Sequence, residues 1–179
     1  MKVIATELPG VVLIEPRVFT DERGFFMETY HHLRFQEAGL HVNFVQDNHS
    51  HSVRGTLRGL HYQIEHPQGK LVRAVRGEIF DVAVDLRRAS DTFGRWFGAV
   101  LSEANKLQLY IPPQFAHGFC ALSETADVAY KCSEIYHAEH ERTIIWNDSD
   151  LNIDWPVKSP LLSPKDKQGM RLSDADCFL

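Results

Sequence analysis

Arg54-Gly-Thr-Leu-Arg-Gly-Leu-His-Tyr-Gln63 opens a series of short apolar segments that continues to residue 146. The series comprises Leu57–Gln63, Lys70–Arg76, Glu78–Leu86, Arg95–Ser102, Leu107–Ile111, Gly118–Leu122, Asp127–Glu134 and Thr143–Trp146. Each has strand length, and Gly, Pro, Asn or Asp stands between them. Alternating βαβ units would need long helical segments in the gaps, so the pattern predicts a mainly β sandwich or small barrel. Within the first segment, His61 follows Gly59 by two residues and Arg58 stands just upstream. A histidine on a rigid element beside a fixed positive charge suits proton transfer near an anionic ligand. A lone strand histidine is more commonly a half-buried structural side chain, so the rest of the chain has to decide.

Upstream, Val3–Thr6 and Val11–Ile14 read as two strands around a Pro9-Gly10 turn. Asp21–Gly24 reads as a turn, Phe25–Tyr30 as a strand, His31–Gly39 as a helix and Phe44–Asn48 as a strand. Downstream of Asn147 the chain is turn-rich, with a short helix expected after Ser163-Pro164. There is no internal repeat or linker, so residues 1–179 are expected to form one domain.

The net charge of −5 argues against a non-specific nucleic-acid surface. Three cysteines without a CxxC indicate reduced thiols. Glu7 and Pro9 fall too early for the apolar core of a signal peptide, and no apolar run approaches the roughly 18 residues of a membrane span. A cytoplasmic protein without membrane contact is the expectation.

Four constellations could carry chemistry. Arg23, Arg58 and Lys70 each stand near a glycine, and Gln46 and Asn48 add amides; together they would suit a phosphorylated or carboxylated ligand, although singly such cations are ordinarily solvated. Asp166 could orient His61 by accepting from one imidazole nitrogen, but Ser163-Pro164-Lys165-Asp166 also reads as a helix start with a capping box. Tyr130 and Tyr136 could donate protons or simply pack. The ten histidines raise a metal site. His49-Ser-His51 is an HxH in an expected polar loop, too early to pair with His117, and His61 is followed by Tyr62-Gln63. The cupin metal set is therefore incomplete and no functional metal is expected. Glycine-rich dinucleotide loops, Walker loops and nucleophile elbows are absent.

Asp21-Glu-Arg-Gly-Phe-Phe-Met-Glu-Thr29, Phe44-Val-Gln-Asp-Asn48, Leu57–Gln63, Gln68-Gly-Lys-Leu-Val-Arg73, Gly77–Val82, Ala116-His-Gly-Phe119, Ala129-Tyr-Lys131 and Ile145-Trp-Asn-Asp148 follow one another along nearly the whole chain. In that order they resemble the dTDP-4-dehydrorhamnose 3,5-epimerase family. The resemblance implies a cupin-type jelly roll, a homodimer, no metal or other cofactor, and dTDP-4-dehydro-6-deoxy-D-glucose as substrate. It further implies His61 as the base, Tyr130 as the opposite-face acid, Lys70 as the enolate stabiliser and Asp166 as the partner of His61. Arg23, Glu28, Gln46, Asp47, Asn48, Arg58, His117, Glu141 and Lys165 match substrate-binding positions, with Tyr136 lining the same cavity. A mono-epimerase or a ketoisomerase for a related sugar nucleotide is the nearest alternative. A non-catalytic sugar-nucleotide cupin would not need His61, Lys70, Tyr130 and Asp166 together.

Two local expectations follow. Gln114 stands where the family often has glycine; a positive φ there would cost on the order of 1 kcal/mol and could shift the loop leading to His117. Period-two alternation puts Arg58 and His61 on opposite faces of a strand, so a shared cavity requires a bulge or twist at Gly59.

Overall fold

A computed structural model describes all residues, 1–179, and bears out the strand-rich reading. Thirteen strands form: β1 (Lys2–Ala5), β2 (Val12–Glu15), β3 (Val18–Asp21), β4 (Gly24–Met27), β5 (Gln46–Val53), β6 (Leu57–Gln63), β7 (Lys70–Arg76), β8 (Glu78–Asp85), β9 (Trp96–Ser102), β10 (Gln108–Ile111), β11 (Phe115–Ala121), β12 (Thr125–Cys132) and β13 (Glu141–Thr143). Only two short α-helices interrupt them, α1 (His32–Glu37) and α2 (Pro164–Lys167). Six strands in the order β1-β2-β10-β7-β12-β5 make one sheet, and five in the order β13-β6-β11-β8-β9 make the other. The paired strands are antiparallel, and the two sheets pack face to face as a cupin-like sandwich.

Side-chain alternation builds three apolar layers. Val72, Ala74, Leu109 and Val128 from one sheet meet Ile79, Ala83, Leu101 and Phe119 from the other. The far face of the five-stranded sheet presents Leu57, Leu60, Tyr62, Val82 and Val84, which the tail covers with Trp155, Leu172 and Phe178. The far face of the six-stranded sheet is covered by α1 through Phe35, against Ile14, Leu71 and Tyr110. Full burial of each such side chain contributes about 1.5–3 kcal/mol before the entropy of ordering is set against it.

Several boundaries move. β5 continues to Val53 instead of ending at Asn48, so His49 and His51 lie in a strand and not in a polar loop. Its sequence, QDNHSHSV, has no apolar alternation; what makes it a strand is pairing with β12 over all eight of its residues. β4 stops at Met27 because β3 offers only four partners. β11 starts at Phe115, three residues before the expected Gly118, because it pairs with β8 from Phe115↔Asp85 onward. β13 is Glu141–Thr143 rather than Thr143–Trp146; those three residues pair with β6 in register, and beyond them only Ile144 still exchanges backbone hydrogen bonds with it, at Leu60.

The expected irregularity at Gly59 is present. His61 opposes His117, whereas Arg58 opposes Phe119, so three steps on β6 face two on β11. The extra residue returns Leu60 and Tyr62 to the outer layer and lets both Arg58 and His61 reach one inner cavity. Gly59 has φ +125°, and a Cβ there would lie 2.6 Å from the Gly118 Cα and 2.7 Å from the His117 carbonyl oxygen. Only glycine tolerates both the dihedral and that backbone approach. Gln114 does adopt a positive φ, 73°. Its carbonyl accepts from the Leu86 N–H at 3.2 Å, and His117 stays in register with both β6 and β8. The side chain therefore leaves the placement of His117 intact.

Candidate active site

One end of the sandwich is not filled by apolar side chains. A cavity of about 550 Å³ opens there between the sheets. From the five-stranded sheet come Arg58 and His61 on β6 and His117 on β11; from the six-stranded sheet come Gln46 and Asn48 on β5, Lys70 on β7 and Tyr130 on β12. Tyr136 and Glu141 close one side, and Lys165 and Asp166 of α2 close another. The inward positions of these strands change from apolar in mid-sandwich to polar at this end, as Val128 to Tyr130 on β12 and Val72 to Lys70 on β7 illustrate.

His61 donates from, or accepts at, Nε2 in a 2.6 Å hydrogen bond with Asp166 Oδ1. Asp166 is 2% exposed and satisfied on every side. Oδ1 also accepts from the Gly59 N–H, Oδ2 accepts from Ser163 Oγ at 2.6 Å, and the Asp166 N–H donates to Ser163 Oγ. The capping and orienting roles that the sequence left as alternatives are thus filled by one carboxylate. Burial pushes the Asp166 pKa up, but the bonds from His61, Ser163 and Gly59 outweigh it and the net direction is down. Burial also lowers the His61 pKa, against the opposing pull of Asp166. The imidazole is therefore neutral at neutral pH, fixed at Nε2 and left with Nδ1 to take a proton.

Lys70 is 7% exposed and makes no side-chain hydrogen bond; burial lowers its pKa, while Cys132, Glu141 and Asp81 resist that. Burial raises the Tyr130 pKa, with Cys132 adding to the effect and Arg58 opposing it, so the phenol stays protonated. A neutral base and a protonated acid thus project from opposite sheets, with the Lys70 amine in the same cavity. Nearer the rim, Glu141 accepts from Lys165 Nζ at 2.7 Å and from the Tyr136 hydroxyl at 2.8 Å. Arg58 is held by Ser52 Oγ and the His51 carbonyl.

Three expected substrate contacts lie elsewhere. Arg23 sits in the β3–β4 turn, paired with Asp21 at 2.6 Å and well exposed. Glu28 pairs with Arg34. Asp47 points away from the cavity, because alternation puts it opposite Gln46 and Asn48, and it binds Lys131 at 2.8 Å. The same alternation turns His49 and His51 outward, where both meet Asp127 Oδ1.

Sequence reasoning did not assign Ser50, Gln68, Phe119 and Ser163 to the site, although they line the cavity, and it missed one residue behind the lining. Asp81, fully buried, bonds His117 Nε2 at 2.7 Å and leaves its second oxygen without a hydrogen-bond partner. Its signal was a carboxylate on the apolar face of Glu78–Asp85, in step with Ile79 and Ala83. Such a group needs a polar partner inside.

Residues 5–174 match the family model described as dTDP-4-dehydrorhamnose 3,5-epimerase. The dTDP-4-dehydrorhamnose 3,5-epimerase of Pseudomonas aeruginosa is 60% identical over 99% of each chain. A more distant relative, the dTDP-4-dehydrorhamnose 3-epimerase of Streptomyces niveus, is 42% identical over 94% of this chain and 82% of its own. The Legionella pneumophila crystal structure of dTDP-6-deoxy-D-glucose-3,5-epimerase in complex with dTDP-4-keto-L-rhamnose superposes with a TM-score of 0.95. It has 50% identity over 98% of this chain and 94% of that one.

Proposed function

The chain belongs to the dTDP-4-dehydrorhamnose 3,5-epimerase family, an isomerase family of dTDP-rhamnose biosynthesis, and from that premise we propose how its own residues perform the reaction. The observation that carries the proposal is the His61–Asp166 pair on one wall of the cavity with Tyr130 on the other. The substrate is dTDP-4-dehydro-6-deoxy-D-glucose. Its C3 and C5 hydrogens are acidic because each carbanion delocalises into the C4 carbonyl as an enolate. His61 Nδ1 removes the proton, and Asp166 stabilises the resulting imidazolium. Lys70 faces the enolate oxygen, where a fixed ammonium in a water-poor site stabilises developing charge far more than in bulk water. Tyr130 returns a proton from the opposite face, which inverts the carbon. Solvent then takes the proton from His61 and returns one to Tyr130, and a second round at the other carbon gives dTDP-4-dehydro-L-rhamnose. Arg58, Gln46, Asn48, His117, Glu141 and Lys165 hold the nucleotide sugar, with Tyr136 beside them.

A homodimer belongs to the same proposal. Phe25 and Phe26 on β4 are 58% and 69% exposed, and the β3–β4 hairpin pairs with neither large sheet. Arg23 and Glu28 flank those rings without reaching this chain's own cavity. A second copy seated on the hairpin would receive them as substrate contacts. The proposed compartment is the cytoplasm, supported by three cysteines that are all unpaired. No helix is long and apolar enough to cross a membrane.

Turnover of the 4-keto sugar nucleotide in D2O tests the mechanism. Label is expected at both C3 and C5. Label at one carbon would make this a mono-epimerase, and label at neither would defeat enolisation. His61→Ala should lower exchange at both carbons by about 10²–10⁴-fold. Tyr130→Phe should keep measurable exchange while losing inversion.

A further inference from the structure

Beside the cavity lies a cluster of side chains that the epimerase chemistry does not use. Glu65 and His66 follow β6, while His137, Glu139 and His140 lie between Tyr136 and Glu141. The His66 and His137 rings stack at 4.8 Å, and the His140 ring lies 5.8 Å from the first and 5.9 Å from the second. Around them stand Glu65, 3.6 Å from His140 Nε2, and Glu139, 3.7 Å from His137 Nδ1 and 3.9 Å from His140 Nε2.

Those separations are too long for charge-assisted hydrogen bonds, which run to about 2.9 Å. They are close to the spacing of two ligands on one ion: bonds of about 2.0–2.1 Å in a tetrahedron put neighbouring donors about 3.4 Å apart. One ligand atom each from Glu65, His66 and His140 already lies within 4.8 Å of the others. The two loops are tied together beforehand. Buried Gln63 donates to the carbonyls of His66 and Ile135 and accepts from the His137 N–H, and the Ile64 N–H bonds the His140 carbonyl. The backbone frame is therefore set before any ion arrives, which reduces the ordering cost of binding.

We propose that Glu65, His66 and His140 form a binding site for a late first-row divalent cation, of which Zn²⁺ is the type, with His137 and Glu139 as adjacent donors. Imidazole with carboxylate selects that class over Mg²⁺ and Ca²⁺, which take oxygen. The bound ion joins the segment bearing Tyr136 and Glu141 to the end of the strand bearing His61. It takes no part in the proton transfers.

The test titrates Zn²⁺, and separately Co²⁺ for its visible spectrum, into the full chain without an affinity tag. One ion per chain is expected, a large excess of Mg²⁺ or Ca²⁺ should not displace it, and the melting temperature should rise with Zn²⁺. The pair His66→Gln with His140→Gln should weaken Zn²⁺ binding at least tenfold and abolish the thermal shift. The pair His49→Gln with His51→Gln, which removes the outward histidines on β5, should leave both unchanged. Glu65→Gln, at an exposed position, gives a second reading should the first pair misfold, and at least a threefold loss of affinity is expected. Absence of stoichiometric binding overturns the proposal. So does binding that survives the His66 and His140 changes, or that is lost only with the β5 histidines.

Discussion

His61 is subject to two opposed influences, and their balance sets a measurable limit. Burial lowers its pKa from the ordinary 6.5, and Asp166 restores only part of the loss. The proposed base must be neutral to act. Activity should therefore fall on the acid side only below pH 6.5, as the folded-state group takes up its proton. On the alkaline side two groups must keep protons. Burial moves Lys70 below its ordinary 10.5 and Tyr130 above its ordinary 10.0, and the alkaline limb is assigned to Lys70 as the group that burial drives toward deprotonation. The kcat/KM profile should show its alkaline limb below pH 10.5, and Lys70→Arg should move that limb upward because a guanidinium holds its proton beyond about pH 12. If Lys70→Arg leaves the limb in place and Tyr130→Phe removes it, the two roles are wrongly assigned. At this scale the sequence pointed to His61, Lys70, Tyr130 and Asp166, and the fold brings the four to one cavity. For Asp81 the sequence offered only a carboxylate on an apolar face; the partner, His117, follows from the pairing of β8 with β11. Asp47 shows the converse: a motif match carries no side, although alternation from Gln46 and Asn48 would have turned it outward.

Among the elements, β6 is the one whose irregularity matters. Gly59→Ala would meet φ +125° and a Cβ 2.6 Å from Gly118. A destabilisation of at least about 2 kcal/mol is expected, read from the urea midpoint, with loss of turnover as Arg58 and His61 cease to share a cavity. A variant of wild-type stability and activity would mean that the bulge is dispensable. The turn from β8 to β9 rests on a different device. Asp85, fully buried, accepts from the Arg87 N–H and guanidinium and from the hydroxyls of Ser90 and Thr92. Burial pushes its pKa up, but those bonds prevail and hold it at about 2. Because the folded value is depressed, the stabilisation is present above about pH 4 and is lost as pH falls through 2. By linkage it amounts to roughly 2–3 kcal/mol at neutral pH. Asp85→Asn should lose about that much at pH 7 and show a weaker pH dependence of unfolding between pH 4 and 2. The strands with one apolar face were legible in the sequence. The second half of β5, His49–Val53, was not, because its inner face borders a polar cavity and its outer face meets solvent. Nothing local marks such a strand; its partner does.

For the molecule as a whole, the β3–β4 hairpin poses the question of assembly. Exposed aromatic rings at Phe25 and Phe26, with Arg23 and Glu28 on the same hairpin, fit an interface that also completes a binding site. Phe25→Ser with Phe26→Ser should halve the mass seen by sedimentation and raise KM for the sugar nucleotide, with the remaining turnover still abolished by His61→Ala. A wild-type chain that sediments as a monomer at assay concentration would refute the dimer.

The bond between His61 and Asp166 also has a history in time. Its two residues stand 105 apart in the chain. A ribosome adding about 5–20 residues per second makes the histidine roughly 5–20 s before the aspartate that orients it. Once Tyr130 has been added, a nascent chain holds the strand, the lysine and the tyrosine, yet its imidazole has no carboxylate to orient it until Asp166 follows. Enolising power should therefore depend on α2 being docked, the last element to join the site.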